Sequence, residues 1–246
     1  MSKFEEIDDP RRAWLIRALS TGMLAAGWSA VQAQSILGSK PAKLPEGQSV
    51  FSTSGDVQVN NKPADKSTLI KPGDTVQTGP NSQAVFAVGT HAMILRCGST
   101  LMIQQASLAQ DSKLATVIGG LQLLTGKLLS VSRNSPMTVK TSTATVGIRG
   151  TGFYIEADPE QTYFCTCYGL TQVQATDDPE SHETVAASHH DRPLYIVKDG
   201  GAGRNIRNAP FVNHTDQELA LIEAIVGRTT PFVFGKDAYS GPRKTY

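Results

Sequence analysis

From Gly47 to about Val197 the chain is a series of short runs rich in β-branched and aromatic residues, separated by glycine, aspartate, asparagine and proline. Within a run, apolar and polar residues alternate, as Val57 and Val59 do on either side of Gln58. A period of two predicts strands with one buried and one wet face. We therefore predict an all-β fold of many short strands, arranged as a β-sandwich, a β-roll or a short solenoid.

One segment near the C-terminus departs from this pattern and predicts a short helix. Thr215 followed three residues later by Glu218 is typical of a capping box, and Gly227 suits the end of the helix. The apolar stripe between them consists of Leu219, Ile222, Ile225 and Val226.

The start of the chain has the layout of an export signal. Arg11 and Arg12 precede an apolar stretch from Ala18 to Ala30, and small residues at Val31 and Ala33 suit cleavage after residue 33. That stretch is shorter than the roughly 20 apolar residues of a membrane helix. We expect a bacterial periplasmic or secreted protein with no stable membrane span after cleavage, exported by either the general or the twin-arginine route.

These features divide the chain into four predicted parts. They are a cleavable signal peptide at 1–33, a linker at 34–46, a β domain at 47–205, and a C-terminal helix and tail at 206–246.

The charge balance excludes one class of partner. The chain has 23 basic and 22 acidic residues, a net charge of +1, and no window that concentrates Lys and Arg. Proteins that track phosphate backbones carry such a basic stripe. We expect no nucleic acid partner, and instead a periplasmic protein or a small ligand.

The segment FCTCYG places Cys165 and Cys167 one residue apart in a predicted strand, so that both side chains lie on one face. The next residues along the chain predict a hairpin with its turn near Pro179. Extending this hairpin brings His189 and His190 beside the cysteine strand. Because adjacent strand residues point to opposite faces, one of these two histidines shares the face of the cysteines.

This arrangement predicts a metal site. Two thiolates and an imidazole suit zinc or Cu(I), so these are the two candidate cofactors. The predicted ligands are Cys165, Cys167 and one of His189 and His190, with Cys97 or His182 as a fourth ligand.

Three other interpretations of the cysteines stay open. The pair is inert core filler, because buried cysteine is a small hydrophobe. Alternatively, Cys97 forms a disulfide with Cys165 or Cys167, which an oxidising compartment permits. In the third, Cys167 is a nucleophile with a histidine as base and Asp191 as orienter, but no catalytic signature supports this, and we expect no enzyme.

Two segments resemble the FecR family of periplasmic domains. One runs from Thr138 to Glu156 and contains Arg149, Gly150 and Thr151; the other is IKPGDTVQTGPNSQAVFAV. The similarity covers roughly residues 57–173 and implies an exported β domain that binds a partner in signal relay. Typical members also carry a cytoplasmic domain that regulates a sigma factor, and we do not expect that domain here, because about ten residues precede Arg11.

The glycines of that motif predict a tight corner between two strands, which we expect Arg149 to pin by pairing with a carboxylate or a carbonyl. We thus expect an exported, non-enzymatic FecR-type β module that binds a periplasmic protein or ligand. A periplasmic metal-binding protein with a Cys-x-Cys plus His site is the alternative.

Overall fold

The structure, a computed structural model, describes residues 41–106, 118–133 and 136–232. The chain divides into two compact units, Met1–Lys43 and Leu44–Tyr246, of which the first contributes only residues 41–43 to these ranges. The predicted signal peptide and the tail after residue 232 lie outside the described residues. The strands and the helix of the described ranges all belong to the second unit.

The second unit confirms the predicted all-β class with one C-terminal helix. Among its described residues, the first seven strands are β1 (Val50–Ser54), β2 (Val57–Val59), β3 (Lys62–Pro63), β4 (Thr75–Thr78), β5 (Gln83–Val88), β6 (His91–Leu95) and β7 (Thr100–Gln105). The other seven are β8 (Ile118–Ser132), β9 (Met137–Lys140), β10 (Ala144–Ala157), β11 (Gln161–Ala175), β12 (Asp178–Ala187), β13 (Leu194–Val197) and β14 (Ile206–Asn208). The helix, α1, spans Asp216–Ile225.

The fourteen strands form one hydrogen-bonded sheet, antiparallel except where β8 runs parallel to β9. Three strands are longer than the predicted short runs: β8 and β11 have 15 residues each and β10 has 14. Each of these three long strands pairs with different neighbouring strands along its length. The alternating apolar residues of these strands enclose a single core, as their period of two predicts.

The predicted corner at Gly150 is a bulge inside β10. Gly150 has a φ of 64°, and the register with β11 shifts between Arg149 and Gly152. The ring of Tyr168 lies so close to Gly152 that a Cβ there would sit 2.4 Å from it. At this bulge β10 exchanges β9 for β8 as its neighbour.

The predicted pinning role of Arg149 is wrong. Its side chain is exposed, and within the described part of the chain it forms no hydrogen bond or ion pair, while Thr151 is buried. The bulge needs no such pairing, because the glycine conformation and the close approach of the Tyr168 ring already determine it.

The helix α1 begins and ends as the sequence predicts. Thr215 accepts a hydrogen bond from the Glu218 backbone, the Glu218 side chain bonds back to Thr215, and Gly227 has a φ of 76°. The helix packs against β6 and β8 and buries Leu219, Leu221, Ile222 and Ile225. Within the described ranges, no helix has the length and apolar character to span a membrane.

Buried ion pairs join α1 to the sheet. Arg96, just after β6, lies 2.9 Å from Glu218, and their side chains are 3% and 2% exposed. Glu223 is fully buried and pairs with Arg133 at 2.9 Å and Arg228 at 2.6 Å. The position of the helix on the sheet is therefore fixed by charge pairing as well as by apolar packing.

His91, the first residue of β6, is expected to make the folded protein less stable at low pH. Burial and the nearby charge of Arg228 lower the pKa of His91 from 6.5 to about 4. The unfolded chain takes up this proton at higher pH than the folded one, so the free energy of unfolding decreases between pH 6.5 and pH 4, by about 3 kcal/mol. Urea unfolding across this range, compared between wild type and His91→Gln, measures the difference.

The matched control is His182→Gln, because His182 is exposed on β12. This control should follow the wild-type pH dependence, whereas His91→Gln should lose less stability on acidification. Parallel curves for wild type and His91→Gln would rule out the contribution of His91.

Candidate metal centre

Strand β11 places two thiols side by side in the core. Cys165 and Cys167 are both 0% exposed, and Thr166 between them points to the opposite face. On one side, β11 pairs with β10, where Tyr154 lies opposite Cys165. The predicted sharing of one face is confirmed by the closeness of the two sulfur atoms.

The loop after β12 brings His190 to these thiols. The predicted hairpin is present, with Gly169 opposite Ala187, and the backbone N–H of His190 donates to the Cys167 carbonyl at 2.9 Å. His190 has a φ of 53°, which places its backbone in the left-handed region. Its Nδ1 lies 3.6 Å from Cys165 Sγ.

A fourth donor, which the sequence did not predict, is His214. It immediately precedes the N-cap of α1, is 0% exposed, and its Nε2 lies 3.1 Å from Nδ1 of His190. Asn213 before it has a φ of 67° and donates its side-chain amide to Glu156. His190 itself and the residue before His214 thus both have left-handed backbones, and residues other than glycine in this region gather at functional sites.

The four side chains form a buried tetrad, defined as Cys165, Cys167, His190 and His214. Their ligand atoms all lie within 4.8 Å of one another. In a tetrahedral zinc site two nitrogens are about 3.3 Å apart and sulfur and nitrogen about 3.6 Å apart, given the usual bond lengths. The measured 3.1 Å and 3.6 Å are close to these values.

The outer ring nitrogens of the two histidines already take part in hydrogen bonds. His190 Nε2 lies 3.0 Å from a carboxylate oxygen of Asp216, and His214 Nδ1 lies 2.8 Å from the Val212 carbonyl, so both nitrogens carry hydrogen. A neutral imidazole has only one such hydrogen. The two facing nitrogens are then both acceptors, and they require either an added proton or a metal ion bound by both.

The two thiols differ in acidity. Burial disfavours the thiolate of Cys165, but the hydrogen bond from Cys167 and the charge of His214 outweigh it, so the pKa of Cys165 is well below its usual value. Burial and the neighbouring Cys165 both raise the pKa of Cys167. A cation that binds both sulfurs must therefore displace the proton of Cys167.

Groups around the tetrad hold the imidazoles in place. Asp216 accepts from His190, an arrangement that in metal sites orients the ring and raises its basicity. Tyr154 stacks on His214 with ring centroids 4.5 Å apart, and Phe211 lies 4.5 Å from His190. This aromatic cover keeps water from the four donor atoms.

The other predicted ligands lie elsewhere. His189 contacts Asp216 and does not belong to the group of four donors, His182 is exposed and lies near the Pro179 carbonyl, and Cys97 is half-buried after β6. All three cysteines are free thiols, so the alternative of a disulfide with Cys97 is wrong. Asp191 accepts from the backbone of Ser188, a loop-stabilising bond that orients no imidazole.

Comparison with known proteins finds a match in the middle of the chain. Residues 74–169 match the family model described as FecR protein, which confirms the predicted resemblance over that range. Two crystal structures of a candidate anti-sigma factor from Parabacteroides distasonis are similar, each with 14% identity and a TM-score of 0.42, covering 55% of this chain and 58% of that one. No curated protein sequence matches the chain.

Proposed function

Because residues 74–169 of this chain match the FecR family, we propose that the protein is an exported, non-enzymatic β module of signalling type whose buried tetrad binds one zinc ion. The observation that carries the zinc site is the convergence of two thiols and two imidazoles within 4.8 Å. The four donors close the coordination sphere, which is typical of structural rather than catalytic zinc.

Charge distinguishes zinc from copper. With two thiolates and two neutral imidazoles, Zn²⁺ gives a site with no net charge, which suits donors that are 0–6% exposed. Cu⁺ with the same ligands leaves one negative charge, next to the buried carboxylate of Asp216. The arrangement therefore favours zinc over copper.

The match to the FecR family supports the signalling part of the proposal, and the export signal predicted at 1–33 supports the periplasmic location. The partner we propose is a periplasmic protein or small ligand that binds the β body. In this scheme the chain itself fills all four coordination positions of the metal, so the metal does no chemistry on the partner. The ion instead stabilises the β body to which the partner binds.

One mass measurement tests metal and export together. We expect protein purified from the periplasm without chelator to begin at Gln34 and to carry one zinc ion under native conditions, which is lost on denaturation. After denaturation, three thiols should react with an alkylating agent. A native mass without metal, combined with cobalt loading that produces no thiolate-to-cobalt absorption, would rule out the zinc site.

Matched variants identify the ligands. Cys165→Ser and His214→Asn should each abolish retention of the ion through purification, since a site of four donors loses at least 10-fold in affinity even when only a supporting group is removed. Cys97→Ser and His182→Asn change the same residue types outside the tetrad and should keep one zinc per chain. Loss of zinc in these two controls would contradict the assignment.

A further inference from the structure

A second group of metal-binding side chains lies beside the tetrad and shares one residue with it. His189, His190 and Asp216 form this surface triad, and their ligand atoms lie within 4.8 Å of one another. Nε2 of His189 is 3.0 Å from both carboxylate oxygens of Asp216, and Nε2 of His190 is 3.0 Å from one of them. His190 therefore faces the triad with one ring nitrogen and the tetrad with the other.

The two groups differ in access to solvent. The side chain of His189 is 38% exposed, whereas those of His190 and Asp216 are 1% and 3% exposed. The triad thus runs from the surface inward and ends at a ligand of the tetrad. A hydrated cation can reach His189 directly, but the four donors of the tetrad are covered by protein.

The side chains of the triad are suited to transient binding of a divalent cation. The imidazole of His189 and the carboxylate of Asp216 can bind Zn²⁺ and similar ions while leaving coordination positions for water, and His190 adds a second imidazole once its Nε2 loses the hydrogen that it donates to Asp216. The carboxylate of Asp191 accepts from the backbone of His189, so a second negative charge lies near the exposed end. Negative charge at such a position raises the local concentration of cations.

We propose that the surface triad is a second metal site, through which zinc is loaded into the buried tetrad and released from it. This second site rests on the zinc site proposed for the tetrad. Nε2 of His189 and an oxygen of Asp216 would hold the entering ion in place of water molecules, and the four donors of the tetrad would then take it over. The protons displaced from the thiol and imidazole donors leave to solvent, and no oxidant or reductant is needed.

Cobalt loading kinetics test the proposal on the mature exported protein. In His189→Asn, the rate at which thiolate-to-cobalt absorption appears should fall by about tenfold or more. The rate of cobalt loss to a chelator should fall by a similar factor, because one path serves both directions. The final spectrum, the stoichiometry of the tetrad and the dissociation constant should stay as in wild type.

Slower loading together with slower release distinguishes a role of His189 in the loading path from a purely structural role. If His189 only supported Asp216, its loss would weaken the tetrad and speed cobalt release, and that outcome would overturn the proposal, as would loading within a factor of about two of wild type. His182→Asn is the exposed-histidine control, and His189→Gln replaces His189→Asn if the latter does not fold. If the wild-type protein gives no thiolate-to-cobalt absorption, the proposed zinc site in the tetrad is wrong. If it gives the absorption and His189→Asn loads at the wild-type rate, only the proposed role of the surface triad is wrong.

Discussion

Protein stripped of zinc is expected to unfold well below the temperature at which the loaded protein unfolds. An ion that binds only the folded state, at a free concentration of a thousand times its dissociation constant, raises the free energy of unfolding by about 4 kcal/mol. For a chain of this size that corresponds to a shift of roughly 8–16 °C. The shift should be large because the ligands come from three separate segments, β11, the loop after β12 and the residue before the N-cap of α1.

Thermal unfolding followed by circular dichroism, with and without chelator, measures this shift. Cys165→Ser should show the lower unfolding temperature in either condition, because it has lost a ligand. Cys97→Ser should respond to the chelator as wild type does. If the chelator moves the unfolding temperature of Cys165→Ser as much as that of wild type, the stabilising ion is bound somewhere other than the tetrad.

Glu218→Gln is expected to destabilise the protein by about 3–5 kcal/mol, since it leaves a buried guanidinium without its counter-charge. Burial opposes the charged form of Arg96, but the Glu218 carboxylate outweighs this, and the pKa of Arg96 is raised. The glutamine side chain can still take the place of glutamate in the capping box, so the substitution removes charge and preserves the cap. Denaturant unfolding at neutral pH measures the loss.

Two further variants separate the ion pair from the helix cap. Thr215→Ala removes the cap alone and should cost about 1 kcal/mol. The double variant Arg96→Met, Glu218→Gln removes both charges and should be more stable than Glu218→Gln by itself. If Glu218→Gln costs no more than Thr215→Ala, the buried pair contributes little to holding α1 on the sheet.

Much of the fold, both cysteines of the tetrad and the histidine pair that contains a third ligand could be predicted because the signals are local. Alternation in β11 places Cys165 and Cys167 on one face, and the turn near Pro179 brings the next strand alongside. The cap residues of α1 likewise stand within one helical turn of each other. Such features depend on neighbours in sequence, which is where periodicity and turn chemistry carry information.

His214 and Asp216 could not be predicted in the same way. Their place beside β11 depends on where α1 docks, and that is determined by contacts such as Arg96–Glu218, which joins residues 122 positions apart. The choice of His190 over His189 also has a nonlocal origin. It results from a left-handed turn of the backbone at His190, and nothing in the sequence around it signals that conformation.

The FecR match covers only part of the proposed zinc site, and the rest of the site lies in the C-terminal part of the chain. The matched range ends at residue 169, so it includes both cysteines but neither His190 nor His214. A proteolytic cut in the loop between β13 and β14, accompanied by loss of the C-terminal fragment, would leave the β body with the thiols and one imidazole. Zinc retention would then distinguish intact molecules from clipped ones, and a released ion would be an early product of degradation.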